Sequence, residues 1–217
     1  RRTGGSGGYR KGEESRQRIL ESALAEFGRV GFAAATTRAI AQQAGATLPS
    51  LQYYFGGKEG LYLACAHEVA KRFAQRTASA AGDAQSALAA GASPEAIRLQ
   101  LKRTMAAVAH GLTATDESTL WSAFVARELL EPGPAFEIMH NQLWAPGIEL
   151  VATLIARLQG RGTADEPARI RAMMMIASLS AFQNGRHVAL RAFGWDAFGA
   201  DQLAAITAVL DAEIDAL

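Results

Sequence analysis

An all-α fold is predicted, with a three-helix helix-turn-helix domain at the N-terminal end and a larger helical bundle after it. Three observations predict it. Apolar residues recur every three to four positions through most of the chain. No stretch alternates apolar and polar residues as a half-buried strand would. Residues 36–59, TTRAIAQQAGATLPSLQYYFGGKE, have the pattern of two short helices around a glycine bend.

Arg1 to Gly12, RRTGGSGGYRKG, is glycine-rich and basic and reads as a mobile arm. It is either a solvated tail or a contact to a nucleic-acid backbone or minor groove. A first helix begins at Glu13-Glu14-Ser15, where acidic side chains suit the positive end of the helix dipole. Ile19, Leu20, Ala23, Leu24 and Phe27 make its core stripe, and Gly28 and Gly31 are expected to end it.

A second helix starts at Thr36-Thr37, because a threonine there accepts a bond from an orphan helix N–H. Ile40, Ala41 and Ala44 share one face, and Gly45 is expected to take the left-handed conformation that stops the helix. The turn Gly45-Ala46-Thr47 has the helix-turn-helix length. Thr47 is the natural cap of a third helix from Leu48 to about Tyr54. Pro49 is tolerated in its first turn, where an N–H would have no partner. Leu51 and Phe55 face inward, leaving Leu48, Pro49, Ser50, Gln52, Tyr53 and Tyr54 to an outside surface. Gly56-Gly57 ends the helix before Lys58.

That outer set has the chemistry of duplex recognition. A Gln52 amide pairs with adenine through two bonds, and Leu48 and Pro49 suit a thymine methyl. Ser50, the tyrosine hydroxyls and Lys58 reach phosphates. The competing explanation is an ordinary pair of amphipathic helices in a bundle, which the pattern by itself leaves open.

Beyond Lys58 the chain is helix after helix. Leu61, Cys65, Val69 and Phe73 define a long fourth helix, expected to fray into the Ala/Gly/Ser stretch at about 78–93. Ser93-Pro94-Glu95 opens the next, with Ile97, Leu101, Met105 and Val108 as its stripe and Gly111 at its end. Asp116 caps another through Trp121, Phe124, Val125 and Leu129, stopped by Pro132-Gly133-Pro134. From Phe136 to about Leu158 the helical spacing is interrupted by Pro146-Gly147, where a kink is expected. Two last helices, near 166–191 and 201–216, show apolar faces at Ile170, Met173, Ala177 and Ala181, and at Leu203, Ile206, Leu210, Ile214 and Leu217. Met173-Met174-Met175 makes the first of these apolar round too wide an arc for one partner face.

The ordered run Thr-Thr-Arg-x-Ile-Ala-x-x-Ala-Gly-x-Thr, then Pro-Ser-Leu-x-Tyr-Tyr-Phe-x-x-Lys-Glu-x-Leu, closely resembles the DNA-binding domain of the TetR family of bacterial transcriptional regulators, over about residues 15–65. The resemblance implies a DNA-binding domain at 13–58 after the arm at 1–12, and an all-helical ligand-binding and dimerisation domain at 59–217. It implies DNA contacts on Thr37, Arg38, Thr47, Leu48, Pro49, Ser50, Gln52, Tyr53, Tyr54 and Lys58. Gln52 stands where the family most often has tyrosine, and Pro49 replaces its frequent glycine. The family also implies a homodimer through the last two helices. A symmetric pair places two reading helices about 34–36 Å apart on double-stranded DNA, so a near-palindromic operator is expected. Residues 124–136, FVARELLEPGPAF, look like the C-terminal domain of the CecR-type branch of the family.

Trp121, Phe124, Arg127, Glu128, Phe136, Met139, His140 and Trp144 combine apolar walls with a few polar groups, the composition of a pocket for a small-molecule effector whose identity the sequence does not give. They fit equally well as core aromatics with Arg127 and Glu128 paired at a helix end.

Charge distribution agrees with a nucleic-acid partner. Net charge is only +1, but residues 1–58 carry nine Lys and Arg against four Asp and Glu, leaving 13 against 17 in the rest. A hydrophobic content of 49% in 217 residues supports a sizeable core. No apolar run approaches the roughly 20 residues that cross a bilayer, and no signal-type segment opens the chain, so a cytoplasmic protein without a membrane partner is expected. Since the chain opens on Arg1, it is expected to start partway into the natural protein or after a tag.

Catalysis is not expected. His67, His110, His140 and His187 are scattered, and neither a His-Glu-x-x-His nor a Cys-x-x-Cys spacing occurs. No metal site and no cofactor are predicted, and Cys65 reads as a core thiol. The expected function is a repressor released by an effector. The alternatives are a regulator controlled by a protein partner or by abundance, and a helical binding module or enzyme with a borrowed head.

Overall fold

The computed structural model describes residues 6–113 and 116–217. Every regular element among them is helical: α1 (Ser6–Ala34), α2 (Thr37–Gln43), α3 (Leu48–Phe55), α4 (Lys58–Ala89), α5 (Pro94–Thr113), α6 (Asp116–Leu130), α7 (Phe136–Met139), α8 (Ala145–Leu158), α9 (Glu166–Asn184), α10 (Arg186–Phe193) and α11 (Ala200–Asp215). A π-helical turn, His140–Trp144, joins α7 to α8. The chain forms two compact units, one containing residues up to Val69 with Thr119–Met139, the other Ala70–Ser118 with His140–Leu217.

In the first unit the predicted α1 stripe, Ile19, Leu20, Ala23, Leu24 and Phe27, is wholly buried. The helix begins earlier than predicted. Residues 6–12 are its first turns instead of part of a mobile arm, while the first five residues lie outside the described residues. Each glycine there costs about 1 kcal/mol relative to alanine. Ion pairs Arg10–Glu14 and Arg16–Glu13, at 3.8 and 3.6 Å, lie along the strongly helical run that follows.

Gly31, at φ +79 and ψ 171, breaks α1, and only glycine holds that conformation without strain. The break orphans carbonyls, and side chains satisfy them. Arg127 donates from Nε to the Gly28 carbonyl at 2.9 Å and from Nη2 to that of Arg29 at 3.0 Å. Gly28 does not end the helix as predicted. A Cβ there would lie 3.0 Å from Ala123 Cβ, so its missing side chain permits the close approach of α1 and α6. Tyr62 joins Phe27, Phe32 and Phe124 with ring centroids 4.7, 4.8 and 4.9 Å away.

The second unit is built on buried rows of α5 (Ile97, Leu101, Met105, Val108), α8 (Val151, Leu154, Ile155), α9 (Ala168, Ala172, Met175, Leu179) and α11 (Ile206, Leu210, Ile214). Polar ties cross the same helices. Arg98 donates to the Ile214 carbonyl at 2.5 Å, Lys102 pairs with Asp215 at 2.7 Å, and Arg169 holds Glu149 through two bonds of 2.8 and 3.0 Å. The fork geometry keeps the Glu149 carboxyl below its usual range.

Three expectations change here. α4 runs on to Ala89 without fraying, because alanine is the best helix former and dominates that stretch. The segment near 166–191 is two helices, α9 and α10, divided at Gly185, where a Cβ would meet the Ala181 carbonyl oxygen at 2.7 Å. The face predicted from Ile170, Met173, Ala177 and Ala181 points outward, since Ala168, Ala172, Met175 and Leu179 fill the core side. Near Pro146, where a kink is expected, the helical pattern changes to the π turn. Proline supplies no N–H and crowds the carbonyl four residues back, so the preceding turn opens. No helix among the described residues is long and apolar enough to cross a membrane.

Candidate nucleic-acid interface

The predicted caps assemble α2 and α3. Thr36 Oγ1 accepts from the Ala39 N–H at 3.2 Å and starts α2. Gly45, at φ +59, turns the chain, and Arg18 of α1 donates to the Ala44 carbonyl at 3.4 Å. Thr47, extended at φ −95 and ψ 152, starts α3 by accepting from the Ser50 N–H at 3.2 Å. Its Oγ1 lies 2.9 Å from Ser50 Oγ, so Ser50 is partly engaged by the cap. Gly56, at φ +70, ends α3.

Leu51 and Phe55 are buried, and the Arg16 guanidinium lies 5.3 Å over the Phe55 ring. This anchors the inner side of α3 and leaves a continuous outer one. Arg38, Thr47, Leu48, Pro49, Gln52 and Tyr53 are exposed, Tyr53 to 84%, while Thr37, Ser50, Tyr54 and Lys58 are half-buried. Tyr54 lies edge-on to Tyr53 at 5.3 Å. A Cβ on Gly12 would come within 3.3 Å of the Tyr54 hydroxyl, so α1 passes close behind that ring.

Two of these side chains also work within the protein. Gln52 Nε2 donates to the Gly56 carbonyl at 3.0 Å, satisfying an orphan acceptor at the end of α3. One amide hydrogen and Oε1 are still available to a base edge. Lys58 Nζ donates to the Ala33 carbonyl at 3.0 Å and lies 4.8 Å from the Phe32 ring centroid. An ammonium has three donors, so a phosphate contact remains compatible with that brace.

Sequence reasoning missed Gly60. A Cβ there would stand 1.9 Å from the Phe55 carbonyl oxygen, so α4 leaves α3 at a distance no side chain permits. The available signal was a glycine in the first turn of a long helix, a costly choice without a packing reason.

The effector candidates are divided between the units. In the first, Trp121, Phe124, Glu128 and Met139 are buried, and Phe136 and Arg127 half-buried. Glu128 accepts from the Tyr62 hydroxyl and the Gly133 N–H. Burial, then the Glu128 carboxylate, raises the Tyr62 hydroxyl above its ordinary value; burial likewise raises the Cys65 thiol. In the second, His140 is exposed with Nδ1 3.1 Å from Asn141 Oδ1, and Trp144 is half-buried. Among the described residues no group of three or more His, Cys, Asp or Glu is placed to hold a metal ion.

Two capped helices at a glycine bend, with an outward polar and aromatic face on the second, define a helix-turn-helix DNA-binding protein. Residues 19–65 match the bacterial regulatory proteins of the tetR family, and residues 97–217 match the C-terminal domain of the HTH-type transcriptional dual regulator CecR. The chain is 34% identical to the CecR protein of Shigella flexneri over 207 residues, covering 94% of this chain and 92% of that one. A TetR-like transcriptional regulator from Rhodococcus sp. RHA1 superposes with a TM-score of 0.66 at 22% identity, covering 92% and 93% of the two chains. The fatty acid degradation regulator FadR of Bacillus halodurans does so with a TM-score of 0.58 at 15% identity, covering 92% and 97%. The chain belongs to the TetR family of DNA-binding transcriptional regulators and carries a CecR-type C-terminal domain.

Proposed function

We propose that the protein is a cytoplasmic repressor that binds a near-palindromic operator as a homodimer and is released by a small-molecule effector bound in its C-terminal helical domain. It works by binding and not by catalysis. Thr37, Arg38, Thr47, Leu48, Pro49, Ser50, Gln52, Tyr53, Tyr54 and Lys58 make up its DNA surface.

The observation that carries the dimer, and with it the operator symmetry, is the outer stripe of α9. Ile170, Met173 and Met174 are 54%, 61% and 67% exposed in the single chain, with Ala177 and Ala181 continuing the row. α11 adds Val209 at 63%. An apolar row on α9, with Val209 added on α11, suits a four-helix bundle with a second copy. Release then requires only that the effector favour a head spacing that no longer fits successive grooves. A coupling of about 1–3 kcal/mol changes operator affinity roughly 5- to 150-fold.

The test is selection of bound fragments from the source genome, followed by a screen for compounds that release the recovered site. A two-half-site sequence released by one compound class supports the proposal. A recovered site that no compound releases removes the effector from it. Because the Shigella relative is described as a dual regulator, transcription from the recovered promoter is read in both directions, with and without the protein.

A further inference from the structure

Met173 and Met174 are 61% and 67% exposed on α9, whereas the other three methionines of the chain, Met105, Met139 and Met175, are 1%, 0% and 7% exposed. An oxidant attacks a thioether only where it reaches the sulfur, so exposure sorts the five into two reactive side chains and three protected ones. Cys65, the one thiol of the chain, does not compete. It is fully buried, and burial raises its pKa, so it holds little of the reactive thiolate.

The two sulfurs stand on one stripe. Ile170 lies one turn before them and Ala177 one turn after, with Ala181 beyond. None of these side chains carries a hydrogen-bond donor, and the neighbouring Ser178 hydroxyl is engaged by the Met175 carbonyl at 2.7 Å. On α11 the outward residues Ala205, Ala208, Val209 and Ala212 are equally without donors. A surface of this kind pairs with its own copy only while it stays apolar. A sulfoxide oxygen set on it would be taken out of water and given no hydrogen bond.

We infer that Met173 and Met174 are an oxidant-sensitive modification site: peroxide-class oxygen donors convert them to sulfoxides, and the modified chain no longer pairs with a second copy or holds its operator. A sulfur lone pair attacks one peroxide oxygen, and the S–O bond forms as the O–O bond breaks. The departing hydroxide takes the proton of the transferred oxygen and leaves as water; sulfur loses two electrons and the peroxide gains them. The inference rests on the reading above that the α9 stripe faces a second copy. In the pair the sulfurs are covered, so the free chain is the form that reacts, and oxidation traps it as a monomer.

The test treats the full-length protein with hydrogen peroxide and follows each methionine by peptide mass spectrometry, with sedimentation and operator binding read on the same samples. In the dilute folded protein Met173 and Met174 are expected to oxidise at least about tenfold faster than the three buried methionines, and in denaturant all five alike. Both rates should fall as protein concentration rises and the stripe is covered. The dimer dissociation constant should rise by about 100-fold or more, with helicity unchanged, and methionine sulfoxide reductases with a dithiol should reverse it. Met173→Leu with Met174→Leu keeps the stripe apolar without the sulfurs, so treated and untreated samples of that variant should sediment and bind alike. Equal oxidation of all five in the folded protein, rates indifferent to concentration, or a loss of pairing that survives the leucine substitutions overturns the inference. Met173→Glu with Met174→Glu separates it from the reading beneath it. If the glutamate variant is monomeric while the oxidised native protein stays paired, only the inference fails; if the glutamate variant stays paired, the stripe is not the interface and both fail.

Discussion

The Tyr62 hydroxyl donates a 2.5 Å hydrogen bond to Glu128 Oε1, and Oε2 of the same carboxylate accepts from the Gly133 N–H at 3.1 Å. Tyr62 is 3% exposed and Glu128 1%, so this polar contact lies inside the apolar core of the first unit. A carboxylate so deeply buried depends on every donor it has. Tyr62→Phe removes one and is expected to lower unfolding stability by about 1–3 kcal/mol. Urea unfolding of Tyr62→Phe, Glu128→Gln and the double variant measures it. Fully additive losses would show that the two groups do not interact.

The same pair sets an alkaline limit. Burial, and secondarily Glu128, raises the folded Tyr62 hydroxyl above its ordinary value of 10.0. Between those two values the unfolded chain has lost a proton that the native chain keeps, so stability falls as pH rises. The contribution is therefore fully present below about pH 10 and is lost above it. Denaturant midpoints of the native protein should decline above that point, and more steeply than those of Tyr62→Phe. Parallel declines would assign the alkaline loss elsewhere.

Gln52 caps α3 and also faces outward, and the two roles separate on DNA. Gln52→Ala is expected to change preference at one base pair by about 1–3 kcal/mol, since an amide that reads a base edge does so at a single position. Profiling binding to an operator library checks it. A uniform loss with an unchanged base profile would leave Gln52 only its bond to Gly56.

Lys58→Ala is expected to weaken binding to every duplex alike and to reduce the salt slope by about one unit, because a phosphate contact carries no sequence information. Loss of the bond to the Ala33 carbonyl should lower the melting temperature as well. A salt slope equal to that of the native protein would confine Lys58 to bracing α1.

The helix-turn-helix was legible because its boundaries are local chemistry. Thr36 and Thr47 bond their own helix N–H groups, and Gly45 and Gly56 take left-handed turns, each within a few residues of chain. What escaped depends on distant partners. Gly28 looked like a stop signal because Ala123, against which it packs, is 95 residues away in sequence. The sequence offers Arg127 as a pocket residue or a helix-end partner of Glu128, and its bonds to the Gly28 and Arg29 carbonyls depend on the break at Gly31, nearly a hundred residues earlier in the chain. On α9 the apolar residues surround the helix, and periodicity does not say which side a single chain buries. The core took Met175 and Leu179 and left Met173 and Met174 outside.

The central claim is that α3 is presented to DNA twice, by a symmetric pair of chains. Sedimentation of the protein alone and with its selected duplex, paired with footprinting, tests it most directly. The expected result is a dimer in both states, two chains per duplex, and protected half-sites with centres about 34–36 Å apart or a multiple of that. A monomer that binds one chain per duplex, or binds all sequences equally in low salt, would contradict it.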